Sequence, residues 1–147
     1  MGREKAVSRG IRVLYYFTTI SSALVGLWHF FVPWVFRWYD YLPMQYENLI
    51  VGIDYVNYCF SLLLFGLSLL LVLMGKKALA LQRETVVFYG FLTAVWVFRA
   101  MLASFLEPWS LEPVPAAAVG QLVLSDALAL LMVVVTAALV RKLTDTR

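Results

Sequence analysis

The chain has one cysteine and one histidine among 147 residues, and only 14% of its residues are charged. Each shortage excludes some chemistry. A lone Cys59, set in an apolar run, cannot close an intrachain disulfide or join a multi-cysteine metal site, and it reads as a small buried hydrophobe. A lone His29 cannot supply bis-histidine haem ligation, and without a His or Cys cluster there is no zinc or copper site. Ligation of a haem- or chlorophyll-type group by His29 alone stays open. The sequence also lacks a Walker-type phosphate loop, a dinucleotide glycine fingerprint, a serine-hydrolase elbow and a Cys-x-x-Cys pair for vitamin-K-reductase-like redox work. With no metal, haem or nucleotide motif, the cofactor is unknown.

What the chain has in abundance is apolar surface. Hydrophobic residues make up 63% of it, far outside the range of soluble globular domains. Its length leaves room for about four spans of roughly 20 residues each and for no sizeable soluble domain as well. The formal charge of +3 comes from basic residues in short membrane-flanking segments, where they are expected anyway, so nucleic acid is not a partner.

Four apolar stretches are long enough to cross a hydrocarbon core: Val13 to Pro33, Leu49 to Met74, Thr85 to Leu106, and Val119 to Val140. The first is too long for a signal-peptide core and is followed by more spans, so a retained helix is expected. Myristoylation at Gly2 is not expected, because Ala6 occupies the position that needs a hydroxyl. These stretches predict an all-α membrane protein, a single transmembrane domain folded as an up-down-up-down four-helix bundle.

Orientation follows the positive charges. Arg3, Lys5, Arg9 and Arg12 precede the first span, Lys76, Lys77 and Arg83 lie in the second connection, and Arg141, Lys142 and Arg147 lie in the tail. The other two connections hold only Arg37, against Asp40, Glu47, Glu107 and Glu112. This asymmetry predicts that both termini and the second connection are cytoplasmic.

Aromatic residues are skewed toward the opposite, outward side: Trp28, Trp34, Trp38, Trp96 and Trp109, with Tyr39, Tyr41, Tyr46, Tyr55 and Tyr58. Trp34, Trp38 and Trp109 read as an interfacial belt. Trp34 to Tyr46, broken by Pro43, reads as a helix extension or a short amphipathic piece on the outer leaflet. The deeper Trp28, Trp96, Tyr55 and Tyr58 are expected to pack within the bundle or to wall a pocket. Phe30, Pro33 and Trp34 repeat the spacing of Phe105, Pro108 and Trp109, which is consistent with a duplicated hairpin or with two unrelated spans stopped by proline beside an interfacial tryptophan.

The most informative pattern is a layer of polar residues in the outer part of all four spans: His29, Asp54, Asn57, Arg99 and Asp126. Counting helical rise puts all five roughly 6 to 12 Å below the outer boundary. Exposing charge to lipid there costs about 2.5 to 3.5 kcal/mol even on the lenient insertion scale, so these groups are expected to face inward. On the second span Asp54, Asn57, Ser61 and Ser68 form one polar stripe, with Phe65 continuing the face. Arg99, the strong cation at this depth, can bridge carboxylates with its planar fork, and an ion pair with Asp54 or Asp126 is expected. One chemical reading has a proton shared among His29, Asp54 and Asp126, with Arg99 as counter-ion. The other is a lattice that only holds helices in register.

The run His29, Phe30, Phe31, Val32, Pro33, Trp34, Val35, Phe36, Arg37, Trp38 resembles a pattern of small uncharacterised bacterial four-helix membrane proteins, extending through Asp54 and Asn57 to about Gly75. The overall layout is similar to that of the DoxX-like proteins, some linked to quinone-dependent sulfur oxidation. The resemblance is one of fold and layout, implies a bacterial cytoplasmic (inner) membrane location, and carries over no residue of that chemistry.

Two functions of different kinds follow. In one, the protein binds a lipophilic small molecule, a quinone or a lipid-like substrate, at the polar layer, with proton exchange and with Arg99 orienting a carbonyl or phosphate. In the other it is a structural or accessory subunit, with no chemistry of its own, whose partner is a larger membrane complex. Membrane lipids are partners in either case.

Overall fold

The computed structural model describes residues 7–43, 45–106 and 115–145, and every element assigned there is helical. Four helices are long and apolar enough to cross a membrane: Arg9–His29, Glu47–Leu73, Arg83–Leu106 and Pro115–Thr144. In chain order the elements are α1 (Arg9–His29), α2 (Val32–Val35), a 3-10 turn (Trp38–Asp40), α3 (Glu47–Leu73), α4 (Gly75–Leu79), α5 (Arg83–Met101), a π-helical turn (Leu102–Leu106) and α6 (Pro115–Thr144). Glu107, Trp109, Glu112 and the Pro108 to Trp109 ending lie outside the described residues, as do Arg3, Lys5 and Arg147.

Helix ends depart from the sequence reading for local reasons. The first span was expected to run to Pro33, but α1 stops at His29. The amides of Phe30 and Phe31 turn back to the carbonyls of Leu27 and Trp28, at 3.3 and 2.9 Å. Pro33, which has no N–H to give, then sits in the first turn of α2, where none is needed. At the other end of the chain, Pro115 opens α6 for the same reason.

The chain divides into two compact units, Thr19–Val72 and the remainder, Met1–Thr18 with Leu73–Arg147. In the first unit the second half of α1 runs antiparallel to α3. Ser22 Oγ and Ser68 Oγ are 2.7 Å apart, Gly26 meets the backbone of Phe65, and the Asn57 amide donates to the His29 carbonyl at 3.0 Å. As residue numbers rise on α1 they fall on α3, which is the signature of an antiparallel pair. Of the expected stripe, Asn57, Ser61 and Ser68 are buried, while Asp54 and Phe65 are half-buried. Ser61 and Ser68 each return their hydroxyl proton to the carbonyl one turn earlier, which keeps the polar groups satisfied in the helix core.

In the second unit α5 and α6 form another antiparallel pair. Thr93 Oγ1 lies 2.8 Å from Thr136 Oγ1, and further along, Arg99 meets Ser125. The first half of α1 joins this unit through Tyr15, whose ring stacks on Tyr89 at 4.8 Å, and through Thr18, whose hydroxyl lies 2.7 Å from the Tyr89 hydroxyl. Tyr16 lies against Gly75, where a Cβ would come within 2.6 Å of its hydroxyl oxygen.

The distribution of side chains is that of a membrane protein. Leu24, Val56, Leu63, Phe91, Leu130 and many like them are exposed, while Thr18, Ser22, Ser61, Thr93 and Ser125 are buried and hydrogen-bonded. Small hydroxyl residues let helices approach closely and hydrogen-bond across the contact, where apolar attraction between helices gives little. Three positions differ from expectation by following this inversion. Cys59, expected to be buried, is exposed on α3, and Trp28 and Tyr55, expected to pack inside, are also exposed. A large apolar group loses nothing by facing lipid tails. Trp96, by contrast, is 1% exposed.

Candidate functional site

The five polar-layer residues fall in both units. In the α1–α3 unit, His29 closes α1, and its Nδ1 lies 2.7 Å from the Val25 carbonyl, an acceptor only, so Nδ1 carries the proton. The ring packs edge-on against Phe60. Asn57, one turn deeper on α3, holds the main chain of His29 rather than its ring. Asp54 is half-buried and accepts a hydrogen bond of 2.8 Å from the Tyr39 hydroxyl. Tyr39 lies in the 3-10 turn that follows Arg37, whose left-handed backbone (φ 52°) reverses the chain after α2. The connecting segment also lies against α3 ahead of that turn, with Phe30 and Trp34 against the Tyr58 ring at 6.3 and 6.2 Å. The sequence places Tyr39 in the outward aromatic excess and in the Trp34 to Tyr46 segment, and gives it no partner. Its role as the partner of Asp54 depends on a turn that no local pattern announces.

The phenol of Tyr39 is pushed up to about 12 from its ordinary 10. Burial is the larger cause, followed by the bond to the Asp54 carboxylate and its negative charge.

The α5–α6 unit holds Arg99 and Asp126, and their arrangement differs from expectation. The expected Arg99–Asp126 ion pair is not formed. Among the described residues no carboxylate lies within 4.0 Å of the Arg99 guanidinium. Arg99 Nε instead donates to Ser125 Oγ at 3.3 Å, and the guanidinium lies 5.7 Å from the centroid of the Trp96 ring, one turn earlier on α5. Asp126, expected to face inward, is exposed on α6 and accepts from Ser104 at 3.2 and 3.4 Å. Ser104 lies in the π-helical turn, whose wider winding sets it opposite α6. The consecutive residues Ser125 and Asp126 thus both touch the α5 chain, one through Arg99 and the other through Ser104.

No fully buried side-chain nitrogen or oxygen among the described residues is left without a partner. The two terminal nitrogens of Arg99 make no bond to a described residue, so they reach accessible surface. From Arg99 to Leu106 the helix rises about 10 Å, so the guanidinium lies inside the span, within reach of its end. A planar fork held from behind by Ser125 and Trp96, with its outer edge open, can grip a carbonyl or an anionic oxygen. The sequence gives Ser104 and Ser125 no role, and leaves Trp96 to bundle packing or a pocket wall. Two isolated serines in apolar helices give no signal until their partners are known.

An open depression of about 550 Å³ lies beside the first turn of α3, lined by Gln45, Tyr46, Glu47, Asn48 and Leu49, and holds none of the polar-layer residues. Comparison with protein-family models, with curated proteins and with solved structures finds no match to this chain.

Proposed function

We propose that this integral membrane protein binds a lipophilic small molecule, a quinone or a lipid-like compound, whose polar head is held by Arg99 on α5. The observation that carries this reading is the guanidinium fork with no described carboxylate within 4.0 Å and with its terminal nitrogens accessible inside a membrane span. An arginine placed there needs an acceptor, and a head-group phosphate or a ring carbonyl supplies one. Phe98, Met101 and Phe105, close to it in sequence, are exposed and apolar, a surface suited to the tail of the same molecule. In this reading the end of α5 that carries Arg99 faces the outer leaflet, as the positive charges on the opposite flanks favour, and the membrane is a bacterial inner membrane.

Binding through Arg99 needs no proton exchange. In the α1–α3 unit the His29 Nδ1 proton is engaged by the Val25 carbonyl and the Tyr39 hydroxyl proton by Asp54.

A second reading, an accessory subunit of a larger membrane complex, is favoured by the exposure of Asp126 on α6. Native mass spectrometry of the protein extracted with its lipids separates the two. Retained small-molecule mass in the wild type that is lost in Arg99→Gln supports binding. Wild type with no such mass, co-purifying with another membrane protein, supports the subunit reading, and identical adducts in Arg99→Gln refute the role of Arg99.

A further inference from the structure

Arg99 and Asp126 sit on facing helices of one hairpin, both accessible, yet each is held by a serine of the opposite helix rather than by the other. Ser125 Oγ lies 3.3 Å from Arg99 Nε, and Ser104 Oγ lies 3.2 Å from Asp126 Oδ1. Ser125 adjoins Asp126 in sequence, so the residue that holds the cation and the anion itself are consecutive on α6. Opposite charges at this depth gain most by pairing directly, and a pair kept apart by two hydroxyls leaves both charges available to a third molecule.

From this geometry we infer that the site takes a zwitterionic phospholipid head with a primary ammonium, of the phosphoethanolamine type. This rests on the proposed binding at Arg99 and names its ligand class. The Arg99 fork donates to the phosphate oxygens in bidentate fashion, and the ammonium donates to Asp126. The charges of Arg99 and Asp126 cancel. A neutral zwitterion keeps the filled site neutral, whereas a purely anionic head brings a phosphate beside the Asp126 carboxylate with no cation to compensate. A quaternary ammonium has no N–H for a carboxylate, and is recognised instead by cages of several aromatic rings. The Trp96 ring is 1% exposed and already covered by the guanidinium, so it is not open to such a group. Phe98, Met101 and Phe105 on the α5 chain and Val123 on α6, close in sequence to Arg99 and Asp126, are exposed and apolar, a surface for acyl chains that a free head group would not use.

The test is native mass spectrometry of detergent-purified full-length protein offered equimolar phosphatidylethanolamine, phosphatidylcholine and phosphatidylglycerol of identical chains. The expected result is about a tenfold preference for phosphatidylethanolamine, the worth of one charge-assisted contact. Asp126→Asn should bring phosphatidylethanolamine down to the level of phosphatidylglycerol, Ser104→Ala should lower the preference less, and Arg99→Gln should remove all three lipids. Soluble phosphoethanolamine should compete only weakly, since it lacks the chains. Helical circular dichroism and elution volume of each variant separate lost binding from lost folding, and the milder Ser104→Ala keeps the test open if Asp126→Asn fails to fold.

Wild type that holds all three lipids equally, with Asp126→Asn unchanged, overturns the zwitterion while leaving the anion site at Arg99 standing. Unchanged retention in Arg99→Gln overturns both. Competition by soluble phosphoethanolamine as strong as by the lipid makes the ligand a free head group and overturns the lipid. Dissociation of a dimer by Asp126→Asn, restored when Arg99 and Asp126 are exchanged, shows that the two charges serve a second copy of the chain and overturns the inference.

Discussion

Gly26 on α1 and Phe65 on α3 meet backbone to backbone: a Cβ on Gly26 would lie 2.5 Å from the Phe65 amide nitrogen and 2.8 Å from its Cα. Neither atom can swing away as a side-chain tip would. The α1–α3 pair, and with it the Ser22–Ser68 contact four residues back along α1, depends on that closeness.

Gly26→Ala should therefore destabilise the protein by about 1–3 kcal/mol, the usual cost of overpacking a filled contact. Gly66→Ala is the control. Gly66 has open space where a Cβ would go, so alanine there should be neutral or should stabilise by up to about 1 kcal/mol through helix propensity. Thermal unfolding in detergent measures both. Equal midpoints for the two variants would show that the close approach is not kept in solution.

Leu81 offers a substitution of opposite sign. It follows α4 with a left-handed backbone (φ 62°), its amide donating to the Ala78 carbonyl and the next amide, that of Gln82, to Lys77. This double bond pattern is the Schellman end, which glycine normally occupies. Leu81→Gly should stabilise the fold by about 0.5–1 kcal/mol after the half-buried leucine contacts are lost, and so raise the unfolding midpoint. Leu81→Val should lower it, because a β-branched residue tolerates positive φ least. The two variants moving in the same direction would refute this account.

The spans and the buried stripe Asn57, Ser61, Ser68 were legible in sequence because both rest on local regularities, apolar run length and helical spacing. The end of α1 was misplaced by a few residues because proline marks where a helix cannot continue, not where the preceding turn tightens. The site was legible in composition but not in pairing. Arg99 and Asp126 were correctly seen as ionisable residues inside spans, yet their partners Ser125 and Ser104 depend on the register of α5 against α6 and on one π turn, which hydropathy does not carry. Likewise Asp54 stood out, while Tyr39 reaches it only through the left-handed turn at Arg37.

Topology is tested by reporter fusions. Fusions after Lys77 and after Arg147 should report from the cytoplasm, and fusions near Tyr41 or Pro113 from outside, because the basic residues partition that way. A cytoplasmic signal from Pro113 would overturn the orientation and, with it, the assignment of the Arg99 site to the outer leaflet.

The Tyr39–Asp54 bond gives a pH dependence whose sign can be worked out. The folded phenol titrates at about 12 and the unfolded one at 10, so folding favours the protonated form. The stabilisation is fully present below pH 10 and is lost as pH rises through 12. In that window the tyrosinate would be partly buried beside the Asp54 carboxylate, with its hydrogen bond gone. Tyr39→Phe lacks the titrating group, so the stability of wild type relative to this variant should fall between pH 10 and 12 and stay constant below. Subtracting the tyrosinate absorbance of Tyr39→Phe from that of the wild type isolates one titration curve, with an expected midpoint near 12. In Asp54→Asn the carboxylate charge is gone but the burial remains, and burial is the larger cause, so the midpoint should move only part of the way back toward 10. A wild-type midpoint at 10 would mean that the turn after Arg37 does not hold Tyr39 on α3, and that Asp54 has some other partner in the membrane.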